Sequence, residues 1–383
     1  MAVGPAVLET TGLVQVAWPS QETIWADTFG YPAKGPAPGV REVIPEVIQV
    51  ALVTEPAPAP PRPSPAAVYR VQINEHVRHF IDRFQTGYRR AITESRLARS
   101  GRYLPMILDI FKEKGLPEEL VFTAMIESGF NPLAVSHAGA KGLWQFMAPT
   151  ARLYGLRVDR WLDERLDPEK STVAAANYLR DLYTVFGSWD LAQAAYNAGE
   201  VRVQRAIQRT GTRDFWVLHR RSPHLLPETK NFVPAIHAAT LIAQQPEQYG
   251  FTVVPEEPVR YEMVTVPKGS RLARLAGLSG VALADLEQLN PELWRKQTPP
   301  DVPYELKVPL GAAAVVQTAV ELDARKTASA ARPGVHVVKS GDTVWRIAQH
   351  YGVSPAQLTR WNGLERPDRI FPGKRLRVTA LPA

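Results

Sequence analysis

Glu127 has the best setting in this chain for acid–base chemistry. The stretch from Leu116 to Gly129 reads as a helix, with Pro117 in the first turn, Glu118 and Glu119 near the positive end, and Gly129 as terminator. Glu127 falls in the last turn, where the helix dipole disfavours a negative charge, and it shares a face with Leu120, Thr123 and Ala124. Both effects raise a carboxyl pKa, as a general acid working near neutrality requires. Position alone does not exclude a surface glutamate at a frayed helix end.

Three further segments carry polar groups of the right kind. Ser136 to Met147 packs small residues, Trp144 and Gln145 into a tight run, and Gln145 offers a donor and an acceptor to an acetamide or hydroxyl. Trp189 to Gly199 ends a helix with Tyr196 and Asn197 just before a glycine. Leu226 to Pro234 starts another helix, with Glu228 and Thr229 in its first turn. Each has a plainer reading: Tyr196 as core filler, Asn197 as a C-cap, Glu228 as a helix-start acid.

The elements that must hold these residues are helical. From about Tyr69 the apolar positions Val71, Ile73, Val77, Phe80, Ile81 and Phe84 recur at helix spacing. Further helices are expected over 88–99, 103–114, 117–128, 171–186, 189–197, 200–209 and 228–244. No β-rich run occurs before Tyr261, so an all-α domain is expected over 69–255. Residues 1–68 contain 12 prolines and end in a Pro-rich tract, which implies a disordered or stiff extended segment.

An internal repeat follows. Gly269, Leu272, Leu275, Ala276, Gly280, Val281, Leu286 and Asn290 match Gly341, Val344, Ile347, Ala348, Gly352, Val353, Leu358 and Asn362 at a constant offset of 72. Leu306 and Val308 match Leu376 and Val378 at an offset of 70, so the first copy holds two extra residues, in turn material between Glu292 and Pro303. Each copy reads as strand, two short helices and closing strand, giving small α+β domains over 259–310 and 335–383. The Ala- and Thr-rich stretch 311–334 is expected to be a linker.

Composition narrows the chemistry. The 383 residues carry a net charge of +7 and no cysteine, which excludes disulfides, thiolate nucleophiles, thiolate zinc sites and iron–sulfur clusters. There is no phosphate-binding glycine loop and no clustered ligand set, so neither a metal nor another cofactor is expected. No apolar run approaches the roughly 18 residues of a membrane helix. The basic balance, with eight Lys/Arg against three Asp/Glu in 335–383, favours an anionic partner, and no nucleic-acid motif accompanies it.

Taken in order, Glu127-Ser128, Gly142 to Met147 and Ala195 to Gly199 resemble the catalytic domain of the soluble lytic transglycosylases. Ser100 to Pro105 and Leu226 to Thr229 resemble specifically the membrane-bound lytic murein transglycosylase D branch. One departure is Met147-Ala148-Pro149-Thr150, where the family's proline directly follows the methionine. The second repeat resembles a LysM domain over nearly its whole length; the first, with Gly269-Ser270-Arg271 in place of Gly-Asp-Thr, looks degenerate.

The resemblance implies a mainly α, multidomain protein: a lysozyme-like all-α catalytic domain followed by two βααβ LysM-type domains. It implies a lyase that opens the MurNAc–GlcNAc bond of peptidoglycan and leaves 1,6-anhydroMurNAc ends. Glu127 would be the single acid/base. Ser128, Ser136 and Gln145 would contact substrate, Met147 would line the groove and Tyr196 would place the Glu127 carboxyl. Asn197 and Glu228 are weaker carry-overs. Glycan binding by the second repeat would use Gly341, Asp342, Thr343, Ile370, Phe371 and Gly373. The partner would be peptidoglycan glycan strands, the protein a monomer, and the location the periplasm or cell envelope. The start at Met1 shows no export leader, and the lipid anchor common in that branch needs a cysteine, so membrane attachment stays open. Two other readings remain: a lysozyme-like hydrolase on the same fold, and a non-catalytic wall-binding protein. No motif supplies a second carboxylate beside Glu127; Asp159, Asp163 and Glu164 are the candidates that folding would have to bring near.

Overall fold

A computed structural model describes residues 68–330, 334–364 and 370–378, with backbone only at 325–330. Apart from Val68, the Pro-rich segment 1–68 lies outside the described residues. The chain divides into two compact units, the first ending at Tyr261 but also taking in 287–299.

The first unit is all-α up to that point. Helices α1 (Glu75–Gln85), α2 (Gly87–Ser100) and α3 (Leu104–Lys114) lead to a 3₁₀ turn (Glu118–Val121) and α4 (Phe122–Ser128). Next come α5 (Ala148–Leu153), α6 (Pro168–Phe186), α7 (Trp189–Ala198), α8 (Glu200–Thr210), α9 (Phe215–Arg221) and α10 (Pro227–Gln244). Most of the expected helices are present within a residue or two. The expected helix 117–128 is split, because its first turn is wound as 3₁₀ before α4 begins. Helix α1 starts later than its apolar spacing suggested: Asn74 Oδ1 accepts from the backbone N–H groups of His76 and Val77, and this cap sets the start. Ile73 therefore lies outside the helix and is exposed. The short α5 and α9 were not expected; six or seven residues show too little periodicity to stand out.

Helix α10 runs through the core and is apolar nearly all round, from Phe232 to Ile242. Pro234 sits inside it, has no N–H to donate, and leaves the Lys230 carbonyl without its usual helical partner. The ring of His219, on α9, lies near that backbone carbonyl. Buried polar groups tie the adjacent elements together. His237 on α10 joins Asp190 on α7 at 3.0 Å and accepts from the Gln72 N–H, while Trp216 Nε1 donates to the other Asp190 oxygen. Tyr69 donates to Gln193.

The repeat is visible in the second unit. β1 (Glu262–Val266) pairs antiparallel with β2 (Tyr304–Val308), and between them lie α11 (Leu272–Ser279) and α12 (Leu283–Leu289). β3 (Val335–Val337) pairs antiparallel with β4 (Arg375–Arg377) around α14 (Val344–His350) and α15 (Pro355–Trp361). The second copy has its own small core of Val338, Val344, Ile347, Ala348, Leu358, Leu364, Leu376 and Val378. The expected linker 311–334 needs correction. It holds α13 (Ala313–Ala330), whose Val316, Ala319 and Val320 are buried and which packs on α11 and β1. Its alanines, read as linker composition, are strong helix formers with an apolar stripe to bury.

Candidate active site

The end of α4 places Glu127. Gly129 follows at φ +60°, and Phe130 also takes a left-handed conformation, at φ +58°. Two such residues in succession turn the chain sharply, and the buried Phe130 ring and an arginine clamp hold the turn. Arg99 Nη1 donates to the Gly129 carbonyl at 2.6 Å, and a Cβ at Gly129 would sit 3.1 Å from the buried Arg96 side chain. Neither arginine was expected here; their one sequence signal was a positive charge on the inner face of an amphipathic helix.

Glu127 is 5% exposed. Burial pushes its carboxyl well above the ordinary glutamate range, and the negative charge of Glu228 adds to the shift. Both effects favour the protonated form that a general acid needs.

Ser128 does not face the site. It is fully buried, and its hydroxyl serves the backbone carbonyls of Leu143 at 2.8 Å and Ala124 at 3.1 Å. Its expected contact with substrate is replaced by a tie between α4 and the 134–147 loop.

That loop is a compact double turn, with short antiparallel bridges joining Val135 to Lys141 and Lys141 to Phe146. Ser136 Oγ accepts from Ala140 N at 2.9 Å, so its own hydrogen stays available to a ligand. Gln145 takes φ +49° and directs its amide nitrogen to the Ala134 and Gly142 carbonyls at 3.1 and 2.8 Å. Its Oε1 is left buried without a hydrogen-bond partner. An unsatisfied buried acceptor is costly and suits a site awaiting an N–H or O–H donor. Met147 is exposed at the loop's end. Trp144 is fully buried and anchors the loop to α6 through Nε1 to Thr172 Oγ1 at 2.9 Å.

Below the loop lies a buried ion cluster. Asp163 accepts from Arg165 at 2.8 Å through each carboxyl oxygen, and from Lys141 at 3.1 Å. Burial alone would raise the Asp163 pKa, but the hydrogen bonds and charges of Arg165 and Lys141 outweigh it and hold the carboxyl below its usual range. Arg165 also donates to the Gly139 and Phe146 carbonyls. Gly142, at φ +83°, lets the Arg165 carbonyl approach so closely that a Cβ would overlap it. Glu164 is engaged by Lys170 and the Arg157 N–H, and Asp159 by Arg157 and two backbone N–H groups. The three candidates for a second carboxylate are thus bound up in structure. The carboxylate whose charge reaches Glu127 is Glu228.

Glu228 is exposed at the start of α10, where Asn197 Nδ2 donates to it at 3.3 Å and Asn197 Oδ1 accepts from Thr229 at 2.8 Å. Tyr196, one residue earlier on α7, donates to the Trp144 carbonyl at 2.7 Å. Its ring packs between Tyr178 and Phe146, with centroids at 5.2 and 6.3 Å.

In the second repeat, Gly341 and Gly373 take φ +87° and +89° at the turns. Asp342 accepts from the Lys339 N–H and from His336, and both contacts hold its carboxyl below the usual range. Thr343 caps α14, and Ile370 packs on the small core. Phe371 is 65% exposed, as is Trp345 at 60%, a residue sequence reading passed over. In the first repeat Arg271 occupies the cap position and makes no side-chain cap bond.

Three parts of the chain match known protein families. Residues 109–219 match the family described as Transglycosylase SLT domain, 336–379 match LysM domain, and 260–323 match Lytic transglycosylase MltD, LysM-like domain. The chain is 33% identical over 300 residues to membrane-bound lytic murein transglycosylase D of Escherichia coli, covering 74% of this chain and 64% of that protein. It thus spans a little under two thirds of that relative's length. It is 36% identical over 155 residues to membrane-bound lytic murein transglycosylase F of Maricaulis maris, covering 38% of this chain and 30% of that one. The 70 kDa soluble lytic transglycosylase of Escherichia coli aligns with a TM-score of 0.32 and 28% identity, over 37% of this chain and 24% of that one.

Proposed function

Because the chain carries a Transglycosylase SLT domain followed by two LysM-type domains, we propose that it is a peptidoglycan lytic transglycosylase. It cleaves the β-1,4 bond from MurNAc to GlcNAc, forms 1,6-anhydroMurNAc ends, and is held at the wall of the cell envelope by its second LysM repeat. The observation that carries this reading is the buried Glu127 carboxyl, with its pKa raised by burial and by Glu228.

The chemistry follows from that state. Glu127 gives its proton to the glycosidic oxygen as the bond breaks. The MurNAc acetamido oxygen supports the positive charge that develops on the ring. The carboxylate so formed takes the proton of the sugar's own 6-hydroxyl, which closes on the anomeric carbon. One carboxyl returns to its starting state, and neither water nor a cofactor takes part. Ser136, Met147 and the free Oε1 of Gln145 contact the sugar, while Asn197 and Glu228 set the field around Glu127. Gly341, Asp342, Thr343, Ile370, Phe371 and Gly373 form the glycan-binding loops of the LysM domain.

A second reading rests on Glu228. A hydrolase on this fold needs a carboxylate to activate water, and Glu228 is the one that senses Glu127. Products separate the two. Mass spectrometry of a sacculus digest is expected to give muropeptides one water lighter than those of a hydrolase, with ends that borohydride does not reduce. A digest dominated by reducible MurNAc ends moves the assignment to the hydrolase.

A further inference from the structure

The extra turn material of the first repeat is not loose. Residues 287–299 pack into the first unit. Asn290, Glu292, Leu293 and Thr298 are buried there, and the Glu292 carbonyl accepts from Asp163 N at 3.0 Å. Arg295 Nε donates to the Arg160 carbonyl at 2.6 Å. This docking builds a surface from residues far apart in sequence. The Arg160 and Arg295 guanidinium carbons lie 5.5 and 5.4 Å from the centre of the Trp161 ring, and Arg295 also lies 4.9 Å from the Trp294 ring, which is 49% exposed.

Both arginines are exposed, and neither has a carboxylate partner among the described residues. The nearest acid in sequence, Asp159, is already engaged by Arg157 and the Trp161 and Leu162 N–H groups. Two like charges over one indole repel each other, and a shared anion removes that repulsion. Guanidinium groups are planar forks that match a carboxylate in two-point contact, and stacking on an indole fixes their planes beforehand.

The geometry points to an accessory subsite formed by Arg160, Trp161, Trp294 and Arg295 that takes the carboxylate groups of stem peptides carried by a glycan strand. This rests on the proposed peptidoglycan substrate and deepens it. A neutral glycan such as an N-acetylglucosamine oligomer offers only hydroxyl and acetamide groups to this surface, so the arginines discriminate between peptide-bearing strands and neutral glycan. The divergence of the first repeat from a sugar-binding sequence then has a use, since its inserted segment supplies half of the subsite.

The test is equilibrium binding of two glycan preparations, uncrosslinked strands bearing stem peptides and N-acetylglucosamine oligomers, which carry no carboxylate. The full chain carries Glu127→Gln so that strands are not consumed. Adding Arg160→Gln and Arg295→Gln is expected to weaken binding of peptide-bearing strands about tenfold and leave binding of the neutral oligomers unaffected, with the difference fading at high salt. Arg160→Gln alone, which keeps the Arg160 carbonyl bonded to Arg295, is expected to weaken it about threefold with an unchanged melting temperature. Equal binding of peptide-bearing strands by parent and variants overturns the proposal, as does an equal loss on both preparations. Failure of the lyase reading would appear separately, as absence of anhydro products from the unmutated chain.

Discussion

The Tyr196 hydroxyl donates to the carbonyl of Trp144 at 2.7 Å, so its hydrogen is not directed at Glu127. Burial and the nearby Glu127 charge both raise the Tyr196 pKa, which keeps the phenol protonated and the bond intact. Tyr196 therefore joins the end of α7 to the loop that carries Gln145.

Tyr196→Phe is accordingly expected to cost about 1 kcal/mol of stability, the usual net worth of one hydrogen bond, and to slow murein lysis without abolishing it. Thermal unfolding and sacculus turbidity would measure both. Complete loss of lysis at an unchanged melting temperature would show that the hydroxyl acts on substrate.

Glu127→Gln keeps the shape and removes the ionisable proton, so lysis is expected to vanish while the fold remains. Its stability has a sign of its own. The folded state holds this carboxyl's proton more tightly than the unfolded chain, so ionisation penalises the native protein as pH rises past the ordinary glutamate value near ~4.3. The glutamine form should melt higher than the parent at neutral pH, by roughly 2–4 °C per kcal/mol relieved. The gap should close as pH falls below ~4.

Glu228→Gln removes one of the two causes of the raised Glu127 pKa. The alkaline limb of the pH–rate profile is expected to move to lower pH, because Glu127 then loses its proton sooner. In the lyase reading activity at mildly acidic pH survives; in the hydrolase reading it falls at every pH. One profile therefore tests both the coupling and the reaction class.

Arg165→Met leaves the buried Asp163 carboxylate with Lys141 alone and frees the Gly139 and Phe146 carbonyls. Breaking one side of a buried ion pair typically costs about 3–5 kcal/mol. Denaturant melts should show that loss, and lysis should fall with it because the loop holding Gln145 loses its floor.

Much of this arrangement was legible in the sequence, for local reasons. Pro117, Gly129 and the apolar spacing around Glu127 fixed the end of α4, and glycines closed several of the other helices. What stayed hidden is long-range. Nothing in the local pattern tells that Ser128 turns inward to Leu143, that Asp163 is neutralised by Arg165, or that Glu228 approaches Glu127. The stretch 311–334 misled for another reason: Ala-rich composition serves a linker and a helix equally, and α11 with β1 decides between them.

The donor that Pro234 removes from α10 bears on how far that helix can stand alone. Its ladder has a gap at Lys230, two residues after Glu228, and the His219 ring of α9 lies near that gap. Burial first, then the charges of His76, Lys230 and Arg220, lowers the His219 pKa to about 4. An excised peptide of residues 227–244 would keep the gap, lose its neighbours and fray at its first turns. The segment presenting Glu228 is thus not portable: grafted into another scaffold without the packing around that gap, its first turns would not hold.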